Sequence, residues 1–240
     1  MLEPVTQVRS GAETSGLQAR RAAGVEPEAL PDLLLIERSR AGDSRAIEAL
    51  IRRYGRRLFR VARSVLSQEE HAEAAVCEAY VAAFLDMNRY EPTGKFAAWL
   101  TRLAYTQARA ARAHARDPIA AAPGGAPPAN GAGADEERQP RAALERAVDA
   151  LPEVFRSVFV LRVIEGVSGV ETAASLALHQ TTVRTRLYRA LRRLSPEVVA
   201  RVRALPALLA PSAECSERIV GRVLAALSHG SMRSISASPP

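Results

Sequence analysis

Residues 165–194 read EGVSGVETAASLALHQTTVRTRLYRALRRL, and this stretch decides the fold of the C-terminal half of the chain. Ser168 and Glu171 have the spacing of a capping box, which predicts a helix that begins just after Ser168. Residues 177–179 suit a tight turn, and the helical period of apolar residues restarts at Gln180. The stretch therefore predicts two short helices arranged as a helix-turn-helix.

The second of these helices combines an apolar stripe with a basic surface. The stripe consists of Val183, Leu187, Ala190, Leu191 and Leu194. The residues predicted to bind DNA are Gln180, Thr181, Thr182, Arg184, Thr185, Arg186 and Arg189. Small polar side chains at the tip of such a helix suit base edges in the major groove, while its arginines suit phosphates. A solvated basic helix in an ordinary bundle is the alternative interpretation.

Two segments carry a resemblance to a known family. The residues EGVS at 165–168, followed by TVRTRLYRA at 182–190, resemble the promoter-binding domain of bacterial sigma factors, in particular the extracytoplasmic-function (ECF) group. The family pattern runs EGLS, a helix, a turn and then TVKSRLHRA. The chain departs from it at Ala177, where glycine is usual, and at residues 169–170, where an aromatic and an acidic residue are usual. The resemblance implies that the second helix reads the minus-thirty-five element of a promoter.

The composition favours helices and a polyanionic partner. Of the 240 residues, 48% are hydrophobic but only 5% are aromatic, and alanine, leucine and arginine dominate. The net charge is +7 and the isoelectric point is about 10.2. No apolar run reaches the roughly 20 residues of a membrane span, and the N-terminus lacks the apolar segment of a signal peptide. We therefore expect a cytoplasmic protein without membrane insertion.

Motifs for catalysis or for cofactors are missing from the sequence. Cys77 and Cys215 do not have metal-ligand spacing, and the four histidines are scattered along the chain. A glycine-rich phosphate loop and a nucleophile motif are likewise absent. We therefore expect a protein that is not an enzyme, has no cofactor or metal site, and keeps both thiols buried or inert.

The N-terminal half has the periodicity of a helical bundle. A short helix is predicted from residue 31 to residue 41, and Gly42 ends it. Asp43 is the predicted cap of a long helix whose apolar stripe runs to Val65. Ser67 and Glu70 form a second capping-box pattern. Further helices are predicted from there to about residue 87 and over residues 96–116, where no acidic residue appears.

This half resembles the N-terminal core domain of the same sigma-factor group. The matching segments are GDSRAIEALIRRYGRRLFRVA, AEAAVCEAYVAAF and GKFAAWLTRLA. The resemblance implies that the second segment docks on the clamp of RNA polymerase, through Glu73, Val76, Cys77, Glu78, Tyr80 and Phe84. It implies that the third captures the opened minus-ten element, through Lys95, Arg102, Tyr105, Arg109 and Arg112. Ala74 and Cys77 depart from the family pattern, which has an acid and a glutamine there.

The predicted fold is all-α, with an N-terminal helical bundle and a C-terminal four-helix domain that contains the helix-turn-helix. The predicted divisions are a disordered tail at 1–28, the bundle at 29–116, a flexible linker at 117–139, the helix-turn-helix domain at 140–200 and an extension at 201–240. One last amphipathic helix is predicted near Cys215.

The resemblance implies a sigma factor that binds core RNA polymerase and directs it to promoters with minus-ten and minus-thirty-five elements. Its partners would be core RNA polymerase and promoter DNA, with an anti-sigma factor as a further candidate, and we expect a monomer. The alternative is a stand-alone helix-turn-helix regulator. That class needs a dimer surface or a ligand pocket, and the N-terminal half shows no clear sign of either.

Overall fold

The structure, a computed structural model, describes residues 27–91, 95–116 and 135–236. Within these ranges it contains ten α-helices and no strand, which confirms the all-α prediction. The predicted tail lies outside the described residues up to residue 26, and a short 3-10 turn, Pro27–Ala29, follows. Residues 117–134 of the predicted linker and the last four residues, 237–240, also lie outside them.

The N-terminal bundle contains four helices. Their bounds are Asp32–Arg40 (α1), Ser44–Val65 (α2), Glu69–Leu85 (α3) and Phe96–Arg116 (α4). The predicted cap of α2 is confirmed, since the Asp43 carboxylate accepts the backbone N–H of Arg45 at 3.0 Å. The predicted capping box of Ser67 is wrong, because α3 begins at Glu69 with Gln68 as its N-cap residue and no side-chain cap.

The C-terminal domain contains five helices, and four of them contribute to a second apolar core. Their bounds are Asp135–Asp149 (α5), Glu153–Phe159 (α6), Gly169–Leu176 (α7), Gln180–Leu191 (α8) and Pro196–Ala204 (α9). One π-helical turn, Val160–Ile164, extends α6. The predicted linker ended at residue 139, whereas α5 already begins at Asp135. The core includes Val202, Leu208 and Leu209, so packing continues past the predicted boundary at residue 200.

The first helix of the helix-turn-helix begins where the capping pattern predicts. The Ser168 hydroxyl accepts the backbone N–H of Glu171 at 3.1 Å. The Glu171 carboxylate does not complete the reciprocal box. Instead it pairs with Arg57 of α2 at 2.8 Å. Ala173 and Leu176 are buried, as their positions on the predicted inner face require.

The turn between α7 and α8 contains an unusual backbone conformation. Ala177 has φ 52° and ψ 50°, which is the left-handed region that favours glycine. The next residue, Leu178, donates its N–H to the Ala173 carbonyl at 2.9 Å, as in a Schellman motif. Ala177 therefore adopts the angles that glycine adopts with less strain, and the helix-turn-helix forms in spite of this departure from the family pattern.

The two domains are in contact and share one apolar core. Val158, Leu161, Val167 and Val183 of the C-terminal domain belong to the same buried cluster as the core of the N-terminal bundle. Helix α7 packs on α4, and α6 packs on α2. The chain then returns to the N-terminal bundle through a last helix, Ala213–Ser236 (α10), which lies on α2 and α3. This helix is the amphipathic helix that the sequence predicts near Cys215.

Arginine side chains of the bundle cross the junction between the domains. Arg60 of α2 is 2% exposed and donates Nε to the Leu208 carbonyl at 2.8 Å. Its terminal nitrogens donate to the Glu165 carboxylate and to the Pro206 carbonyl. Three further ion pairs lie nearby: Arg57–Glu171 at 2.8 Å, Arg63–Asp149 at 3.1 Å and Arg112–Glu153 at 2.8 Å.

We predict that Arg60→Ala lowers the free energy of unfolding by about 3–5 kcal/mol, because it leaves the Glu165 carboxylate buried without its counter-charge. Urea unfolding of the full chain measures this change. Arg89→Ala is the control, since Arg89 and Asp86 form an exposed pair at 3.6 Å whose loss changes stability little. Equal effects of the two substitutions would contradict the role given to Arg60.

We also predict that Ala177→Gly raises the free energy of unfolding by about 0.5–1 kcal/mol. The substitution removes roughly 1–2 kcal/mol of left-handed strain at the turn, which exceeds the roughly 0.4–1 kcal/mol of extra chain entropy that glycine loses on folding. Gly42→Ala is the control for which we expect the opposite change in stability. Gly42 has φ +83° and open space where a Cβ would lie, so alanine adds only backbone strain and lowers stability. Thermal unfolding compares the two. A loss of stability in Ala177→Gly would refute the explanation.

Candidate nucleic-acid interface

Helix α8 presents most of the predicted DNA-binding residues to solvent. Gln180, Thr181, Arg184, Thr185 and Arg189 are exposed, while Thr182 and Arg186 are half-buried. The apolar stripe faces the other way, with Val183 and Ala190 buried in the domain. The helix contains no acidic residue, so every charge on its outer surface is positive.

The first turns of α8 are ordered by a local hydrogen bond. The Thr185 hydroxyl donates to the Thr181 carbonyl at 3.0 Å, so its oxygen can act only as an acceptor toward a further partner. Shallow grooves lie on both flanks of the helix. Arg162 and Gly169 help to line one, and Val154 and Phe155 help to line the other. The helix therefore stands out from the domain surface, as a helix that enters a DNA groove must.

The structure adds Tyr188 to this surface. Its side chain is 59% exposed, although it is a large aromatic residue. The Arg192 guanidinium lies over the ring at 5.9 Å and donates to the tyrosine hydroxyl at 3.2 Å. Tyr188 was not among the predicted DNA-binding residues. Its position between two arginines, outside the apolar stripe, was the signal in the sequence that could have identified it.

The predicted minus-ten residues divide into an open and a covered group. Lys95, Arg102 and Arg109 are exposed on or just before α4. Tyr105, in contrast, is buried, and burial raises the pKa of its hydroxyl while Arg109 and Arg186 oppose that rise.

Arg112 belongs to the covered group. It pairs with Glu153 of α6 and donates to the Val65 carbonyl at 3.0 Å. Tyr105 and Arg112 therefore point toward the C-terminal domain in this arrangement. A DNA contact by either residue requires the domains to separate.

The predicted polymerase-binding residues of α3 are also divided. Val76 and Tyr80 are fully buried, and the Tyr80 hydroxyl donates to the Ile51 carbonyl at 3.0 Å. These two residues support the surface from inside the bundle. Glu78 is exposed and Phe84 is half-buried.

Glu73 and Cys77 are 6% and 7% exposed, respectively. Both lie near α10, because Arg222 of that helix bonds to Glu73 and contributes to the electrostatic environment of the Cys77 thiol. The outer face of α3 is therefore covered in part by the C-terminal helix.

Two further properties concern the helices and the polar side chains of the described residues. None of their helices is both long and apolar enough to cross a membrane. They also contain no group of three or more histidine, cysteine and carboxylate side chains placed to hold a metal ion.

Comparisons with known proteins agree with the two-part organisation. The family model for Sigma-70 region 2 matches residues 50–117, and the model for Sigma-70, region 4 matches residues 141–194. The ECF RNA polymerase sigma-E factor of Escherichia coli K12 is 30% identical over 193 residues, which cover 73% of this chain and 98% of the relative. The ECF RNA polymerase sigma factor SigE of Mycolicibacterium smegmatis is 30% identical over 172 residues, 64% of this chain and 63% of that relative.

A solved structure shares the fold. CnrH, in complex with the cytosolic domain of CnrY, has a TM-score of 0.53 and 26% sequence identity, and the match covers 72% of this chain and 97% of CnrH. Regions 2 and 4 occur in the expected order, on the two domains that the sequence predicts. The chain therefore belongs to the ECF group of RNA polymerase sigma factors, and it directs promoter-specific initiation of transcription.

Proposed function

We propose that this sigma factor docks on core RNA polymerase through the outer face of α3 and reads promoter DNA through α8 and α4. In this assignment α8 enters the major groove of the minus-thirty-five element, and α4 with Lys95 binds the opened minus-ten element. Of the two partners, promoter DNA has the clearer support in the side chains, because both helices lack acidic residues and carry several arginines.

One observation carries the assignment of α8. Its N-terminal turn exposes Gln180 and Thr181, whereas Arg184 and Arg189 extend the positive surface along the helix. Neutral polar groups at the tip are suited to base edges, and guanidinium groups along the flank are suited to phosphates and guanine. A merely solvated surface helix usually mixes charges of both signs.

The assignment of α4 requires a change of domain arrangement. Arg102 and Arg109 can meet a single strand directly, because they are exposed. Tyr105 can stack on an unpaired base only after the C-terminal domain has moved away. We infer that the described arrangement is the resting form and that binding to polymerase separates the domains.

Further partners follow by comparison. The similar protein CnrH was solved with the cytosolic domain of CnrY, which supports a protein partner for this chain as well, and an anti-sigma factor is the candidate of that kind. We propose a cytoplasmic monomer that acts by binding alone, without a cofactor or a catalytic step. A stand-alone regulator is not favoured, because both sigma regions match.

We predict that the free protein binds promoter DNA weakly and that its complex with core polymerase binds a non-palindromic pair of elements. Replacing an arginine that reads a base, among Arg184, Arg186 and Arg189, by alanine costs about 1–3 kcal/mol and relaxes specificity at one position. Replacing an arginine that holds only phosphate weakens binding to all DNA sequences alike. It also reduces the slope of the logarithm of the binding constant against the logarithm of the salt concentration by about 1. Binding assays at several salt concentrations, with mapped transcript starts, measure both effects.

Arg201→Ala is the matched control, since Arg201 is an exposed arginine on α9. It should leave promoter choice unchanged. Unchanged promoter affinity in all three α8 variants would contradict the proposal that this helix binds the minus-thirty-five element. Tight binding of the free protein to a palindrome, as a dimer, would instead favour the stand-alone regulator.

A further inference from the structure

The C-terminal helix α10 lies along the same helix of the bundle to which polymerase docking is assigned. Cys215, Ile219, Val220 and Val223 are buried and face α2 and α3, at the spacing of one helix face. This segment follows both sigma regions, since the region 4 match ends at residue 194. Neither sigma region accounts for it.

The polar contacts of α10 concentrate on one carboxylate of α3. Glu73 accepts hydrogen bonds from Arg218 at 2.7 Å and from Arg222 at 3.2 Å, and the Cys215 thiol lies 3.4 Å from it. Arg218 is the main cause that lowers the pKa of Glu73. A fourth contact, Arg52–Glu217 at 2.6 Å, ties the helix to α2. All four residues of α10 in these contacts lie in its first three turns.

The surface of α3 next to these contacts is made of small side chains. Ala74 and Cys77 line a groove that they share with Arg222 and Ala226 of α10. Small side chains at these two positions let α10 approach α3 closely, whereas longer polar groups would hold it away. The burial that results raises the pKa of the Cys77 thiol to about 11.

We propose that α10 is an internal cover for the docking face of α3 and competes with core RNA polymerase for it. The proposal rests on the docking role given to α3 under the proposed function. Polymerase then binds only the fraction of molecules in which α10 has left α3, so the apparent affinity is reduced by that fraction. The segment 205–212 keeps α10 at a high local concentration, because Arg60 holds the carbonyls of Pro206 and Leu208.

Two variants change the equilibrium between bound and released α10 in opposite directions. Arg218→Glu with Arg222→Glu places like charges against the buried Glu73 carboxylate and releases α10. Both arginine side chains are themselves more than half exposed, so the fold of the bundle tolerates the change. Gly221→Ala strengthens α10, because Gly221 is an exposed helical residue with open space for a Cβ and alanine favours the helix.

Titration of labelled core polymerase with the full chain gives the first measurement. We expect the double variant to bind between about 5-fold and 150-fold more tightly than the unchanged protein. Gly221→Ala should bind up to about fivefold more weakly. The matched control is Arg201→Glu with Arg203→Glu, which makes the same change in net charge on exposed positions of α9 and should leave affinity unchanged.

Labelling of the two native thiols gives a second measurement that does not involve polymerase. Cys77 and Cys215 are both buried, and the pKa of Cys215 is raised to about 12. Their labelling rate at neutral pH follows the fraction of molecules in which α10 has left α3. The rate should therefore rise in the double variant by the same factor as the affinity for polymerase. It should fall in Gly221→Ala.

The outcomes separate the two proposals. The cover is supported if polymerase binds the double variant more tightly and Gly221→Ala more weakly, and if the labelling rate changes in the same direction in each variant. If labelling shifts but every version binds polymerase with equal affinity, α10 does not compete and the cover is refuted. If every version binds polymerase equally and Glu78→Ala, which removes an exposed carboxylate of α3, does not weaken binding either, the docking role itself is wrong and the cover is refuted together with it.

Discussion

The buried guanidinium of Arg60 is the contact on which the arrangement of the two domains and the C-terminal helix depends. It carries a full charge into a site that is nearly closed to water, where a charge is stable only with complete hydrogen bonding and a counter-charge. Its acceptors come from two segments far apart in sequence: the Glu165 carboxylate, before the helix-turn-helix, and the carbonyls of Pro206 and Leu208, before α10. One side chain of α2 thus positions both the helix-turn-helix and the C-terminal helix.

The junction around Arg60 combines the shared apolar cluster with ion pairs that water can reach. The Arg57–Glu171, Arg63–Asp149 and Arg112–Glu153 pairs are all partly exposed, so water and salt can replace them at modest cost. Helix α7, which packs on α4, also buries the hydroxyls of Thr172 and Ser175 without a hydrogen-bond partner. Each unsatisfied hydroxyl costs about 1–3 kcal/mol until opening lets water reach it. These contacts lower the cost of the domain separation that the proposed function requires.

Local signals in the sequence predicted most of the helices. Asp43 and Ser168 cap α2 and α7 as expected, because a cap needs only the side chain and the next three residues. The same reasoning failed at Ser67, where α3 begins with Gln68 as its N-cap residue. The left-handed angle of Ala177 could be anticipated only through the resemblance, since alanine itself predicts a helix.

Features that depend on distant contacts were beyond prediction from the sequence. Glu73 meets Arg218 across 145 residues of chain, and no period or motif relates the two. Tyr105 lies on a basic helix and was expected to face DNA, but the C-terminal domain covers it. The exposure of the candidate site residues was therefore predicted well on α8, where most of them lie on one exposed helix face. It was predicted incompletely on α3 and α4, where other elements pack over it.

The distance between the two domains, before and after polymerase binds, tests the central claim most directly. Fluorescent unnatural amino acids at Glu37 of α1 and Glu197 of α9, both exposed, leave the buried thiols unchanged. Single-molecule energy transfer should show one short distance in the free protein and a longer one in the complex that starts transcription at a promoter. Persistence of the short distance in that active complex would contradict the account.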